Sequence, residues 1–123
     1  EESNTNFISL AGDTHNAWVS ELTNSSGQKI GIELGAPSVS SPGITDAIKI
    51  DKKQFADEIV EMNSELNWMD PEHRGYLTLE FKKDQMEAKF NFIKELQKVD
   101  STISSTQIFQ VQKNKLGIEK KKS

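Results

Sequence analysis

The sequence predicts an α+β fold, in which about five or six mostly antiparallel strands accompany one long helix. Apolar and polar residues alternate with a period of two in several short segments, which is typical of strands with one buried face. One segment, residues 51–66, instead places its apolar residues at helical spacing. The chain has 123 residues, enough for one domain with a modest core.

Strands are expected where this alternation is clearest. The apolar run at residues 7–10 predicts the first strand, and Ile30, Ile32 and Leu34 alternate with polar or small residues further on. The clearest hairpin spans residues 77–92, where Lys83-Asp84 supplies the turn between two alternating segments. In chain order, we expect strands at residues 7–10, 16–22, 29–34, 77–81, 86–92 and 108–111.

Residues 51–66 are expected to form the long helix. Asp51 is suited to the N-cap, and Gln54 follows at the position that closes a capping box. The Asp70-Pro71 pair ends the pattern, because proline cannot continue a helix. Four apolar residues share the face that would be buried: Phe55, Ile59, Met62 and Leu66.

Composition excludes several classes of function. The net charge is −4, and the sequence contains no cysteine, which excludes disulfides, thiolate zinc sites and cysteine nucleophiles. Basic residues cluster only in the tail, so we expect no nucleic-acid binding. No apolar run approaches the roughly 20 residues that a membrane span needs. Residues 1–123 are expected to form a single domain, with residues 113–123 as a flexible tail.

The most informative stretch is residues 7–18, FISLAGDTHNAW. Asp13 and His15 follow the end of a strand two positions apart, where a carboxylate and an imidazole can share one metal site. In the alternative interpretation, Asp13 only caps a turn and His15 is an ordinary loop residue. Two ligands are also fewer than the three that a catalytic metal site usually takes from the protein.

Other catalytic motifs give little support. His73, the other histidine, lies in the turn-like segment DPEHRG and is expected to be a solvated loop residue. The sequence contains no HExxH, no Walker-type glycine loop and no GxSxG motif. Zincin, P-loop and α/β-hydrolase mechanisms are therefore not indicated.

Four segments follow one another in an order that carries a family resemblance. They are Leu10–Leu22 (LAGDTHNAWVSEL), Gly31–Gly43 (GIELGAPSVSSPG), Asn63–Asp70 (NSELNWMD) and the strand start Arg74-Gly75-Tyr76. Together they resemble the C-terminal portion of an alkaline phosphatase D (PhoD)-like enzyme, a branch of the calcineurin-type metallophosphoesterase superfamily. The third segment departs from the family pattern, because Ser64 and Glu65 stand where proline and histidine are common.

The resemblance implies a chemistry and a set of site residues. Asp13 and His15 would be the last two ligands of a dinuclear metal centre that activates water to hydrolyse phosphate esters. Asn16 and Trp18 would line the substrate pocket or support the ligands. The ions would be divalent or trivalent (iron, manganese, magnesium, calcium or zinc), and the Asp13 carboxylate favours the harder ones.

The remaining ligands would lie upstream of this chain, because the superfamily's Gly-Asp-x-x-Asp and Gly-Asn-His motifs do not occur after His15. We therefore expect a C-terminal fragment of a larger, exported phosphatase or phosphodiesterase. It would be part of a metallophosphoesterase-type β-sandwich, inactive by itself and able to self-associate. Two alternatives stay open: a non-catalytic binding or structural module, and a small complete hydrolase whose site is finished by His73, Asp70 or Glu33.

Overall fold

The computed structural model describes residues 6–94 and 102–122, which form two four-stranded sheets and two short helices. The first sheet contains β1 (Phe7–Ala11), β2 (Ala17–Thr23), β3 (Lys29–Gly35) and β4 (Leu66–Asp70), in the order β1-β3-β2-β4. The second contains β5 (Gly75–Phe81), β6 (Gln85–Ile93), β7 (Ile103–Gln112) and β8 (Glu119–Lys121), in chain order. The helices α1 (Ile44–Ala47) and α2 (Lys52–Met62) connect β3 to β4.

The strand directions bring two loops to the same edge of the first sheet. β1 and β3 are parallel, with Ala11 opposite Gly35, whereas the other strand pairs are antiparallel. The Ala36 N–H donates to the Ala11 carbonyl at 2.9 Å, just beyond the ends of both strands. The loop after β1 and the loop after β3 therefore leave the sheet side by side.

One hydrophobic cluster joins the two sheets. The ring centroid of Trp68, on β4, lies 5.1 Å from that of Phe90 and 5.3 Å from that of Phe109, both on the second sheet. The alternating segment of β6 turns its apolar face into this cluster, as the sequence predicts. On β3, Ile32 and Leu34 also lie in the cluster, but the prediction is wrong for Ile30, which is near the start of the strand and 45% exposed. The buried members of the cluster are Ala17, Val19, Ile32, Leu34, Met86, Ala88, Phe90, Phe92, Phe109 and Val111.

The prediction of one long helix is wrong. α2 has 11 residues and ends at Met62, because Asn63 has an extended backbone and its side-chain amide donates to the Ile59 carbonyl at 3.0 Å. Leu66, expected on the buried face of the helix, instead begins β4. Met62, expected on the same face, is 80% exposed.

The start of α2 agrees more closely with the sequence. Asp51 is the N-cap, and its carboxylate accepts a hydrogen bond from the Gln54 N–H at 2.7 Å. The Gln54 side chain does not close a capping box but donates to the Glu58 carboxylate at 2.7 Å.

The fold is mostly β, and residues 6–94 and 102–122 contain eight strands instead of the five or six expected. β4 and β8 were not predicted, and β7 begins at Ile103, earlier than the expected residue 108. β8 lies inside residues 113–123 and pairs with β7, with Lys121 opposite Ile108. The flexibility of this tail stays a prediction. Within the described ranges, no helix is long and apolar enough to cross a membrane.

Candidate functional site

The loop between β1 and β2 has an unusual backbone at both predicted ligands. Asp13 has a φ of 62° and His15 a φ of 60°, and no other non-glycine residue has a positive φ in the described parts of the chain. The left-handed conformation costs an L-residue roughly 1–3 kcal/mol. Such residues concentrate at functional sites, where the surrounding structure holds them in place. The two residues with strained backbones are therefore the two that the sequence motif predicts as metal ligands.

The Asp13 carboxylate is free to bind a ligand. The residue is exposed, and its side chain has no hydrogen bond or ion pair with any residue that the structure describes. A turn-capping aspartate would instead accept a backbone N–H. The nearest turn bond is purely backbone, from the Thr14 N–H to the Gly12 carbonyl at 2.6 Å. The geometry therefore does not support the interpretation of Asp13 as a turn cap.

The imidazole of His15 is held through one nitrogen. Its Nδ1 lies 3.0 Å from the carbonyl oxygen of Pro42, in the loop after β3. A carbonyl only accepts hydrogen bonds, so Nδ1 must carry the proton and donate it. In a neutral ring, Nε2 then presents its lone pair. A histidine fixed in this way through its other nitrogen has the arrangement common among metal-binding histidines.

A buried arginine connects this loop to its neighbours. Arg74 is 3% exposed, and its Nη1 donates to the His15 carbonyl at 3.1 Å and to the His73 carbonyl at 3.3 Å. Its Nη2 donates to Oδ2 of Asp46, on α1, at 2.6 Å. Hydrogen bonds from the Gly43 N–H and from the Arg74 guanidinium hold the pKa of Asp46 below its ordinary value. A carboxylate and a buried cation thus support the His15 backbone.

Sequence reasoning missed Arg74 and Asp46. Arg74 is the only arginine in the chain, and it begins one of the four segments that carry the family resemblance, so its presence there was the available signal. Nothing in the local sequence relates it to His15, since the two residues are 59 positions apart.

Asn16 and Trp18 line a cavity of about 300 Å³ on the face of β2 that points away from the core. Asn16 is 5% exposed, and its Oδ1 has no hydrogen-bond partner among the described residues. The Trp18 indole N–H donates to Thr14 Oγ1 at 3.3 Å. The rest of the lining comprises Thr14, Ser20, Asn63, Glu65, Leu66 and Met69. The positions fit a pocket wall, while the role of both residues stays a prediction.

Glu65, which replaces a histidine common in the family pattern, lines the same cavity but has its own partner. Its carboxylate accepts the Thr23 hydroxyl and also the Thr23 N–H, the latter at 2.7 Å. These bonds, the hydroxyl first and then the N–H, hold the pKa of Glu65 below its ordinary value. Glu65 is therefore an anion tied to β2.

His73 is not simply a solvated loop residue. Its Nδ1 lies 2.9 Å from Asp70 Oδ2, and its ring centroid lies 5.4 Å from that of Phe92, although 46% of its side chain is exposed. Glu33, the third residue considered for completing a site, accepts a hydrogen bond from Ser9 at 3.0 Å.

The chain offers no complete metal site among the residues described. Across residues 6–94 and 102–122, no three histidine, cysteine, aspartate or glutamate side chains converge on one position. The alternative of a small complete hydrolase finished by His73, Asp70 or Glu33 stays a prediction. Asp13 and His15 have the kinds of donor atom that bind metal ions, but two side chains are fewer than the three that a catalytic metal site usually takes from the protein.

Comparisons with known proteins give two matches. The family model described as "PhoD-like phosphatase" matches residues 1–90. A solved structure described as "Structure of PhoD" is similar with a TM-score of 0.71 and 22% sequence identity, over 94% of this chain and 22% of that chain. At this identity, the second match establishes a shared fold. This chain therefore spans about a fifth of the length of the solved protein. No curated protein matches.

Proposed function

The chain belongs to the PhoD-like phosphatase family, and on that premise we propose that it is the C-terminal part of a larger metal-dependent phosphatase or phosphodiesterase. Asp13 and His15 are proposed to supply two of the ligands of its metal centre. The observation that carries the proposal is their shared geometry. Both residues have left-handed backbones in one loop, with a free carboxylate on one and a fixed imidazole on the other.

The open edge of the first sheet supports a larger parent. β1 is an edge strand that pairs in parallel with β3, and parallel strands are usually covered on both sides. Phe7 and Leu10, on this strand, are 62% and 60% exposed. We propose that the two sheets belong to a metallophosphoesterase-type β-sandwich, in which further strands of the parent cover this edge.

Each site residue has a definite task in this proposal. When bound, metal ions would lower the pKa of a water molecule and stabilise charge on the phosphate oxygens. The Asp13 carboxylate and the His15 Nε2 lone pair would bind the metal ions. The Pro42 carbonyl accepts a hydrogen bond from His15 Nδ1 and so keeps the proton on that nitrogen. The cavity beside Asn16 and Trp18 takes the organic group of the ester. Asn16 Oδ1, which has no partner among the described residues, would accept a hydrogen bond from an O–H or N–H of that group.

The chain by itself is proposed to be inactive, because two ligands cannot hold a dinuclear centre. Both ester classes, monoesters and diesters, remain candidate substrates of the parent. Export of the parent, which the resemblance implies, stays a prediction.

The test compares the longer protein with the 123-residue chain in hydrolysis of bis(p-nitrophenyl) phosphate and p-nitrophenyl phosphate. We expect activity from the longer protein only. Asp13→Asn and His15→Gln should each lower its kcat/KM by more than about 100-fold, beyond the loss typical of removing only a ligand's support. Asp84→Asn, an exposed carboxylate in the β5–β6 turn, is the matched control. Activity of the short chain, or full activity of both ligand variants, would overturn the proposal.

A further inference from the structure

We propose that Arg74 and Asp46 form a positioning pair that fixes the tautomer of His15, so that Nε2 is the nitrogen presented to a metal ion. The inference rests on the proposed function for its metal. It is supported by the hydrogen bonds that join His15 to Pro42 and Arg74, and by those that join Gly43 and Arg74 to Asp46.

A closed ring of hydrogen bonds links the pair to the His15 imidazole. The Pro42 carbonyl and the Gly43 N–H belong to the same planar peptide unit. The N–H donates to Asp46 Oδ2 at 2.6 Å, while the carbonyl accepts from His15 Nδ1 at 3.0 Å. Asp46 therefore fixes the plane of the peptide, and through it the direction of the carbonyl that holds the His15 proton.

Arg74 closes the ring from the other side. Its Nη2 donates to the same Asp46 oxygen that accepts the Gly43 N–H, and its Nη1 donates to the His15 carbonyl. One planar guanidinium thus sets the distance between the carboxylate and the His15 backbone. Because His15 has a φ of 60°, its backbone needs such an external restraint to keep the ring in place.

Gly43 is required by this arrangement. A Cβ atom on residue 43 would lie 2.2 Å from Arg74 Nη2 and 2.9 Å from its Cζ. Any side chain at this position therefore displaces the guanidinium. Because the guanidinium is buried and makes three hydrogen bonds, it cannot move without breaking the ring.

Stability alone does not account for the buried arginine. Taking the Arg74 charge out of water costs roughly what its ion pair with Asp46 returns, and the Asp46 side chain is 37% exposed, so the pair adds little net stability. Arg74 also leaves its Nε–H without a partner among the described residues, which carries a further cost of about 1–3 kcal/mol. Instead, the buried arginine fixes the geometry at His15: the Pro42 carbonyl is held next to Nδ1, and the His15 backbone is held in place by its bond to Arg74.

Two variants perturb the ring in independent ways. Arg74→Lys keeps a positive charge but lacks the two guanidinium nitrogens that donate to Asp46 and to the His15 carbonyl at the same time. Gly43→Ala keeps Arg74 but displaces it. Gly12→Ala is the matched control, since a Cβ there meets no atom within 4 Å.

The first readout is the tautomer of His15, which needs no metal. NMR spectra of the ¹⁵N-labelled chain identify the protonated nitrogen, at a pH about two units above the ordinary imidazole pKa of about 6.5. His73→Gln assigns the two rings, and His73, held by Asp70, serves as the internal reference. We expect Nδ1–H at His15 in the wild type and in Gly12→Ala. In Arg74→Lys and Gly43→Ala, we expect a shift toward Nε2–H.

The second readout is the affinity of the longer protein for Mn²⁺, measured as paramagnetic broadening of the His15 signals. Both ring variants should raise the apparent Kd by about 10–100-fold, as expected when a ligand loses its support. If wild-type His15 is not broadened by Mn²⁺, the proposed metal site fails, whereas the tautomer still decides the role of the pair.

Three results would overturn the inference. The first is a wild-type tautomer at His15 in both ring variants. The second is an equal change at His73, which would indicate a general loss of the fold and no specific role. The third is a switched tautomer with unchanged Mn²⁺ affinity.

Discussion

Replacing Phe90 by alanine removes a fully buried side chain through which the two sheets contact each other. Phe90 is fully buried; its ring centroid lies 5.1 Å from that of Trp68, across the sheets, and 5.9 Å from that of Phe109, edge to face. Truncating a buried phenylalanine to alanine costs about 3–5 kcal/mol, because apolar burial is lost and a cavity remains. A chain of this length is expected to have a total stability of roughly 6–18 kcal/mol. The variant should therefore lose a large share of its stability.

Urea unfolding, followed by tryptophan fluorescence and by far-UV circular dichroism, measures this loss. The two probes should give one coincident transition, because both sheets share a single core. Phe81→Ala is the matched control, since Phe81 lies on the same hairpin but is 67% exposed. It should change the free energy of unfolding by no more than about 0.5 kcal/mol. A loss below about 1 kcal/mol for Phe90→Ala, or two separate transitions, would refute the shared core.

Three further predictions concern the site and its surroundings. The Gly43 N–H and then Arg74 lower the pKa of Asp46. The ionised Asp46 therefore stabilises the fold above the ordinary carboxyl pKa of about 4, and this stabilisation is lost as the pH falls below it. The urea midpoints at pH 3 and pH 7 should differ less in Asp46→Asn than in the wild type. Gly35→Ala places a Cβ 1.9 Å from Trp18 Nε1, so the indole must move, and acrylamide should quench tryptophan fluorescence more strongly than in Gly12→Ala. The exposed edge at Phe7 and Leu10 predicts self-association of the chain, and Phe7→Ser/Leu10→Ser should sediment as a smaller species; a compact wild-type monomer would contradict this.

Local patterns predicted the strands whose two faces differ most. In β6, Met86, Ala88, Phe90 and Phe92 are buried, and alternation with polar residues reveals them from sequence alone. β8 offers no such signal, because all three of its residues are exposed and charged, and it forms only by pairing with β7. The end of α2 was predicted wrongly for another reason. Met62 and Leu66 have helical spacing, but the helix ends before Asn63, and Leu66 begins β4.

The candidate site likewise contains residues that the sequence predicts and residues that it does not. Asp13 and His15 lie two positions apart in the sequence, so their spacing at a strand end was enough to select them. The support of His15 comes from Pro42, Asp46 and Arg74, which are 27 or more positions away in the sequence and meet His15 only in the folded chain. No local pattern encodes these long-range bonds. The left-handed backbone at both residues is likewise a property of the folded loop.

A crystal structure of the longer, metal-loaded protein, with anomalous scattering to locate the ions, directly tests whether Asp13 and His15 bind metal. We expect a metal ion bound by the Asp13 carboxylate and one bound by His15 Nε2, each at about 2.0–2.4 Å, with the His15 Nδ1 still donating to the Pro42 carbonyl. Metal ions that contact neither residue, or coordination through Nδ1 with the Pro42 bond broken, would contradict this expectation.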